Sequence, residues 1–481
     1  MKIRTGVEMR LLKWKRYLVV GSLFSIALWG RVAGQSAVPE KAGSAQASLT
    51  LHFPRMVSNS GEWTGFAIVN FGKAAANLTL TAYEGTGKLS ATAAPGKNPT
   101  RLTLPAGQQY SAVAFQIFGD SLNTSGSWVQ VVSDQSEVAG FFLTFDPELN
   151  TMDGTDVSDR LFTPLIFTES DNTEISLANP SETLSADAAI HFITNQGAEP
   201  LKAVSVTIPP KGRYRAVTPS LFPSDTLKEG GYYQVTSTLG LAGVQVQNTP
   251  RFNTWALQAV DGSSQGGARL LYSPQYVVGF GYRTSMTVVN LESAPAVVTL
   301  TWINDQGSVL GVPVSLILPA MGRKVITDPN LFQASVPNSG YVRVESDRRI
   351  TGTVRFGDET GLMLQTSLPF VSTARREVIY SQVVQDATFF TGVAITNPNA
   401  EEATVVLSIY DVDGRIQGAG TEKIAPGARI SKILNQVVPN LPAMGKGYFR
   451  VASTVPVFSF AVFGTQNFTV LSAVPPQPVT P

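Results

Sequence analysis

Apolar and polar residues alternate along this chain in runs of five to eight, bounded by Gly, Pro, Asn and Asp. That is the pattern of half-buried β-strands. Four runs end on Asn: Phe66-Ala67-Ile68-Val69-Asn70, Ile175-Ser176-Leu177-Ala178-Asn179, Met286-Thr287-Val288-Val289-Asn290 and Val393-Ala394-Ile395-Thr396-Asn397. These asparagines are 109, 111 and 107 residues apart. A second strand follows each, at Leu78 to Tyr83, Ala188 to Ile193, Val298 to Ile303 and Val405 to Tyr410, and then a turn glycine, Gly87, Gly197, Gly307 or Gly414. In the second copy the glycine comes one residue late, so an insertion before the strand turns Ala188, Ile190 and Phe192 inward and His191 outward.

Each copy continues through a Pro/Gly turn, at Pro105-Ala106-Gly107, Pro209 to Gly212, Pro319 to Gly322 and Pro426-Gly427, and then a short segment such as Leu221-Phe222 or Leu331-Phe332 with room for one helical turn. The clearest landmark comes next: Trp128-Val129-Gln130-Val131, Tyr232-Tyr233-Gln234-Val235, Tyr341-Val342-Arg343-Val344 and Tyr448-Phe449-Arg450-Val451. Ordered landmarks matching four times define an internal repeat. The expectation is an all-β chain of four tandem antiparallel β-sandwiches, spanning 35–159, 160–267, 268–374 and 375–481, the last with a short Pro-rich tail. The joins are short, which predicts a semi-rigid rod of touching neighbours.

In outline this resembles the immunoglobulin-like or fibronectin-III-like modules that bacteria string together outside the cell. The resemblance is one of architecture over the whole chain after residue 34. The Cys–Trp–Cys core of antibody domains is missing, since the chain has no Cys and Trp63 and Trp302 occupy different places in their repeats.

The first residues read as a secretory signal peptide, 1–34. Lys2, Arg4, Arg10, Lys13, Lys15 and Arg16 form a basic start, Tyr17 to Trp29 is an apolar run too short to span a bilayer, and Val32-Ala33-Gly34 offers small residues for cleavage. Cleavage leaves 29 basic against 34 acidic residues, a mildly acidic chain with no basic block for nucleic acid or anionic lipid. The expected location is secreted or at the cell surface, with no membrane span in the mature form. The tail Pro475-Pro476-Gln477-Pro478-Val479-Thr480-Pro481 reads as an extended stub.

Without Cys, thiol catalysis and thiolate metal sites are excluded, and His52 and His191, the two histidines, have no partner pattern. Both are expected to be partly exposed strand residues. Phosphate loops, zinc-protease helices and nucleophile elbows have no counterpart in the sequence. Paired carboxylates leave no local motif, yet four near-equal copies offer no enlarged loop set to build an active site, so the expectation is no enzyme and no cofactor beyond calcium.

Two candidate sites follow from the pattern. Residues two apart on a strand share a face, so Trp128 lies with Gln130, Tyr232 with Gln234, Tyr341 with Arg343 and Tyr448 with Arg450. An aromatic beside a planar polar group could stack on sugars, once per repeat; the alternative is a ring packed on a cross-strand neighbour under its Gln or Arg. The acidic stretch Asp146, Glu148, Asn150, Asp153, Asp156 and Asp159 is either a calcium site, carried by Asp146, Glu148, Asp153 and Asp156, or a solvated turn. The repeated Asn is expected to hold a turn. Function is expected to be that of a structural or adhesive module array; the alternatives are a carbohydrate- or polymer-binding protein and, third, a secreted hydrolase or complex component. Partners would be an extracellular polysaccharide or a cell-surface protein.

Overall fold

A computed structural model describes residues 48–170, 172–248, 254–360 and 364–479. The expected signal peptide lies outside the described residues. The chain is all-β, built from several antiparallel sheets. Among the described residues helix is confined to short pieces, including Ala114–Phe118 and Leu434–Val437, the sites of the single turns that follow the Pro/Gly turns.

The second repeat shows the layering most simply. One sheet holds Arg213–Val217, Thr173–Ala178, Ala242–Asn248 and Thr254–Gln258 in that spatial order. The other holds Val204–Ile208, Ala186–Thr194, Gly231–Ser237, Leu165–Phe167 and Val260–Asp261. Inward residues of both, including Phe167, Leu177, Ile190, Phe192, Tyr233 and Val235, form one core. In the third and fourth repeats a single long strand, Asn338–Asp358 or Tyr448–Thr465, pairs with different partners over its two halves and so serves both layers.

The repeated asparagines explain why the turns are alike. Asn70, Asn179, Asn290 and Asn397 are fully buried. Asn70 Nδ2 donates to the carbonyls of Ala74 and Leu104 at 2.8 and 2.9 Å, and its Oδ1 accepts from the Gly72 amide at 3.0 Å. Asn179, Asn290 and Asn397 make the corresponding bonds to Leu184, Ala294 and Glu401, and to the Pro/Gly turn. One side chain therefore ties two loops to the strand end. One residue of each Pro/Gly turn sits in the left-handed region: Gly107 (φ 74°), Lys211 (55°), Met321 (54°) and Gly427 (70°). Two copies place glycine there, where it costs nothing, and two carry a side chain and put glycine one position later.

The rod expected from the short joins is not what forms. Each repeat docks on the next, and the fourth docks on the first. Four axial strands, Met152–Asp156, Thr254–Gln258, Gln365–Pro369 and Leu471–Val474, each lie against two of the others and close a circle. The tail is not a free stub either: Gln477–Pro478 pairs with Arg375–Tyr380, and the Gln477 amide donates to the Gly140 carbonyl of the first repeat. A head-to-tail contact repeated with a fixed rotation yields a filament or a ring, and here it closes after four steps. Residues 35–481 are expected to have a radius of gyration of about 22 Å, against roughly twice that for four repeats end to end. Small-angle scattering decides it.

Candidate functional site

The seams between repeats gather most of the unusual chemistry. At each seam the aromatic landmark of one repeat donates to the left-handed turn carbonyl of the next. Trp128 Nε1 donates to Lys211 O at 2.7 Å, Tyr232 Oη to Met321 O at 3.1 Å and Tyr341 Oη to Gly427 O at 2.8 Å. Tyr448 Oη donates to Gly107 O at 2.7 Å and closes the ring. A second bond runs in the opposite direction: the amides of Arg213, Arg323, Arg429 and Gln109 donate to the carbonyls of Gly85, Asn195, Asp305 and Val412 at 2.9 to 3.1 Å.

This placement removes the sugar platform. Trp128, Tyr232, Tyr341 and Tyr448 are all at most 4% exposed. Val129, Val131, Val342 and Val344 fill the repeat cores, so the other strand face is the one that meets the neighbour. Trp128 stacks on its cross-strand neighbour Tyr83 and Tyr448 on Tyr410. The Gln130 carbonyl oxygen accepts from Lys211 Nζ at 2.9 Å, Gln234 is half-buried, and Arg343 and Arg450 pair with Glu345 and Glu377. Tyr448→Phe deletes one seam hydrogen bond and keeps the ring stack. It is expected to cost about 1 kcal/mol, read by denaturant titration.

Behind the aromatics each seam is charged differently. The position held by Arg55 in the first repeat is Glu169, Gln275 and Gln382 in the others, matched by register. At the first three seams it faces Arg213, Arg323 and Arg429 of the following repeat, and at the fourth Gln109 bonds the carbonyl of the adjacent Ser381. At the first seam Glu174 Oε1 accepts from Arg55 Nε and Arg213 Nη2, both at 3.0 Å. Burial alone would push the Glu174 carboxyl up, but the Arg55 and Arg213 charges hold it down to about 2. Burial lowers Arg213 to about 10 against the same carboxylate. At the second seam Glu169 Oε2 accepts from Arg323 Nη2 at 2.7 Å, and Thr287 donates to Oε1 at 2.7 Å. Its carboxyl is lowered, since Arg355 and Arg323 outweigh burial. At the third, Arg429 meets Asp305 and Gln275 at 2.7 and 2.6 Å. The fourth is uncharged here: Gln109 Nε2 donates to the carbonyls of Ser381 and Gly447, both at 2.7 Å.

Asp153 stands at the axis, where the four strands meet. Its carboxylate accepts from the Gly154 amide at 2.8 Å, the Ala256 amide at 2.9 Å and Thr366 Oγ1 at 3.2 Å, and lies 3.3 Å from the Ala473 amide. All four repeats thus converge on one buried acid. Burial raises it well above the ordinary carboxyl value despite these donors, and burial raises Asp156 to about 6.

The calcium reading of the acidic stretch does not survive this geometry. Asp146 caps its own hairpin turn, accepting from the amides of Glu148, Asn150 and Thr151 at 2.7, 3.2 and 2.7 Å. Glu148 is exposed, Asp153 is sealed on the axis, and Asp156, three residues along the strand and so on its other face, accepts from Thr155 Oγ1 at 3.0 Å. Among the described residues no three acidic or histidine side chains gather as a metal set. Of the histidines, His191 is half-exposed and bonds Glu199 at 2.7 Å and Thr236 at 3.2 Å. His52, expected to be partly exposed, is buried beside Trp128, and burial with the Lys211 charge lowers it to about 4.

No family model and no curated protein matches the chain. Among solved structures it is similar to the crystal structure of Thermotoga maritima 1070, at 14% identity and TM-score 0.20 over 22% of this chain and 96% of that one. A glycoside hydrolase family 32 protein from Bifidobacterium adolescentis aligns at 8% identity and TM-score 0.14, over 89% of this chain and 99% of that one. A GH78 family rhamnosidase of Bacillus sp. GL1 aligns at 10% and 0.13, over 91% and 56%.

Proposed function

We propose that this protein is an exported, non-catalytic scaffold: four immunoglobulin-like repeats, released from a cleaved N-terminal signal peptide, closed into a ring that spaces or displays an adhesive surface. The observation that carries the reading is what the repeated features are used for. The aromatics, the pinned turns and the buried charges all serve the contact between repeats, and Asp153 serves the contact among all four. A buried ion pair is weak evidence for stability but can specify which surfaces meet. The changing sequence at the Arg55 position, Arg then Glu then Gln then Gln, supports one order of assembly.

The display surface would be the outer sheet edges, Thr100–Leu104, Val204–Ile208, Val314–Leu318 and Ile416–Ile424, each paired on one side only. The partner would be an extracellular polysaccharide or a cell-surface protein. Incubating purified residues 35–481 with isolated cell envelopes and insoluble polysaccharides tests the reading. Retention without product is expected; release of reducing sugars or peptides would overturn the non-catalytic assignment.

A further inference from the structure

The four seams are built alike, and three of them fill the same space with a long charged side chain. Five residues before the repeated Asn stand Gly65, Glu174, Ser285 and Gly392, paired across the sheet with Leu143, Val246, Arg355 and Val462. At the first seam the space holds Glu174 with its arginines. At the second, Arg355 reaches Glu169 at 3.7 Å. At the fourth, Lys446 crosses from the last repeat and donates to the Ser111 carbonyl at 3.1 Å. At the third seam the corresponding residues are Gly392, Val462 and Ser339, none long enough to do so, and a cavity of about 230 Å³ lies there.

Its walls come from both repeats. Phe356 of the third repeat and Phe460 of the fourth meet edge to face with ring centroids 6.5 Å apart. Phe390, Ile433 and Val462 add apolar lining, and Gln275, Ser431, Lys432 and Gln436 line it on the polar side, with the Lys432 ammonium drawn to Glu422 at 2.7 Å. Gln275 is fixed, because its side-chain oxygen accepts from Arg429 Nη1 at 2.6 Å. Phe390 also touches the exposed Phe468, at 5.7 Å between centroids. A dry pocket of roughly 150 Å³ is enough for benzene, so this one takes a single aromatic ring with a small substituent. We infer that the third seam is a binding cleft for a monocyclic aromatic molecule bearing one polar group, the ring between Phe390 and Phe460 and the polar group toward Gln275. Phenylalanine walls favour an aromatic guest through edge-to-face contacts.

The test uses residues 35–481 and p-cresol as probe. Calorimetric titration is expected to show saturable binding with one site per chain. Gly392→Leu fills the cleft, and its Cβ meets only ordinary contacts, the nearest being Val462 at 3.5 Å. Val462→Arg copies the residue that closes the second seam and can extend to solvent if strained. Each is expected to weaken binding at least tenfold with the melting midpoint retained. Crystals soaked in 4-iodophenol give a readout that needs no variant, with the iodine expected between Phe390 and Phe460. Absence of saturable binding, undiminished binding by the folded variants, or iodine located elsewhere would overturn the inference.

Discussion

Replacing Glu174 with alanine is expected to lower stability by about 3–5 kcal/mol, the usual cost of stripping one partner from a buried ion pair. Arg55 and Arg213 are 3% and 0% exposed at their side chains, so neither can turn to water when the carboxylate is gone. Glu62 would remain for Arg55 at 3.1 Å, while Arg213 would keep only Ser176. A carboxyl held near 2 by the arginine charges in place of its ordinary 4.5 corresponds to roughly 3 kcal/mol. Guanidinium unfolding of the variant measures it. A loss below about 1 kcal/mol would mean that the seam is open in solution.

The same groups set the response to acid. The folded value of Glu174, about 2, lies below its ordinary 4.5, so its contribution is complete above pH 4.5 and is lost as the pH falls toward 2. His52 is also depressed, to about 4 from 6.5, so its neutral buried form starts to cost stability as soon as the pH drops below 6.5. Asp153 has the opposite sign: its raised carboxyl favours the fold most below the ordinary value of 3.8, and that share is lost as the pH rises through its folded value. The loss at His52 between pH 6.5 and 4 is therefore opposed by the gain at Asp153 and at Asp156, raised to about 6, and the net fall on acidification is expected below pH 4.5, where Glu174 protonates. His52→Phe should remove the loss between pH 6.5 and 4, so that stability rises over that interval, and leave the fall below pH 4.5, as followed by denaturant midpoints between pH 7 and 3.

Much of this molecule is legible in the sequence, and the boundary is instructive. The strands and their fourfold recurrence are local, written in alternation and in the spacing of Asn70, Asn179, Asn290 and Asn397. Strand parity also places Trp128 with Gln130 and Tyr341 with Arg343 on one face. What covers that face is not local: the acceptor of Trp128 is Lys211, 83 residues on, and the acceptor of Tyr448 is Gly107, 341 residues back. An aromatic whose polar atom has no local partner reads the same whether a sugar or a neighbour will meet it. Asp153 was hidden differently, inside an acidic run that resembled a turn. The signal was Gly154 beside it, where a Cβ would come within 2.5 Å of the Phe141 ring and the Phe142 carbonyl, so the segment is a tightly packed strand. The ring itself depends on the angle at each seam, and no single residue encodes an angle.

Closure has the largest energetic consequence. Val113, Phe141, Phe145 and Met152 of the first repeat are at most 3% exposed and belong to the core of the fourth, with Phe141 against Phe463. A chain ended at residue 374 would present all four to water, together with the orphaned donor of Tyr341 and an axial Asp153 stripped of the Ala473 amide. At ~1.5–3 kcal/mol for each large apolar side chain, the hydrophobic share alone is roughly 6–12 kcal/mol, comparable to the whole stability of a domain. The truncated protein is therefore expected to oligomerise or precipitate, by sedimentation at micromolar concentration, because the seam it exposes is complementary to the one at its other end. Beads on a string would behave otherwise: three repeats would remain monomeric with an unchanged melting midpoint. That result would show that the fourth repeat leans on the first without stabilising it, and the ring would lose its standing as the unit of folding.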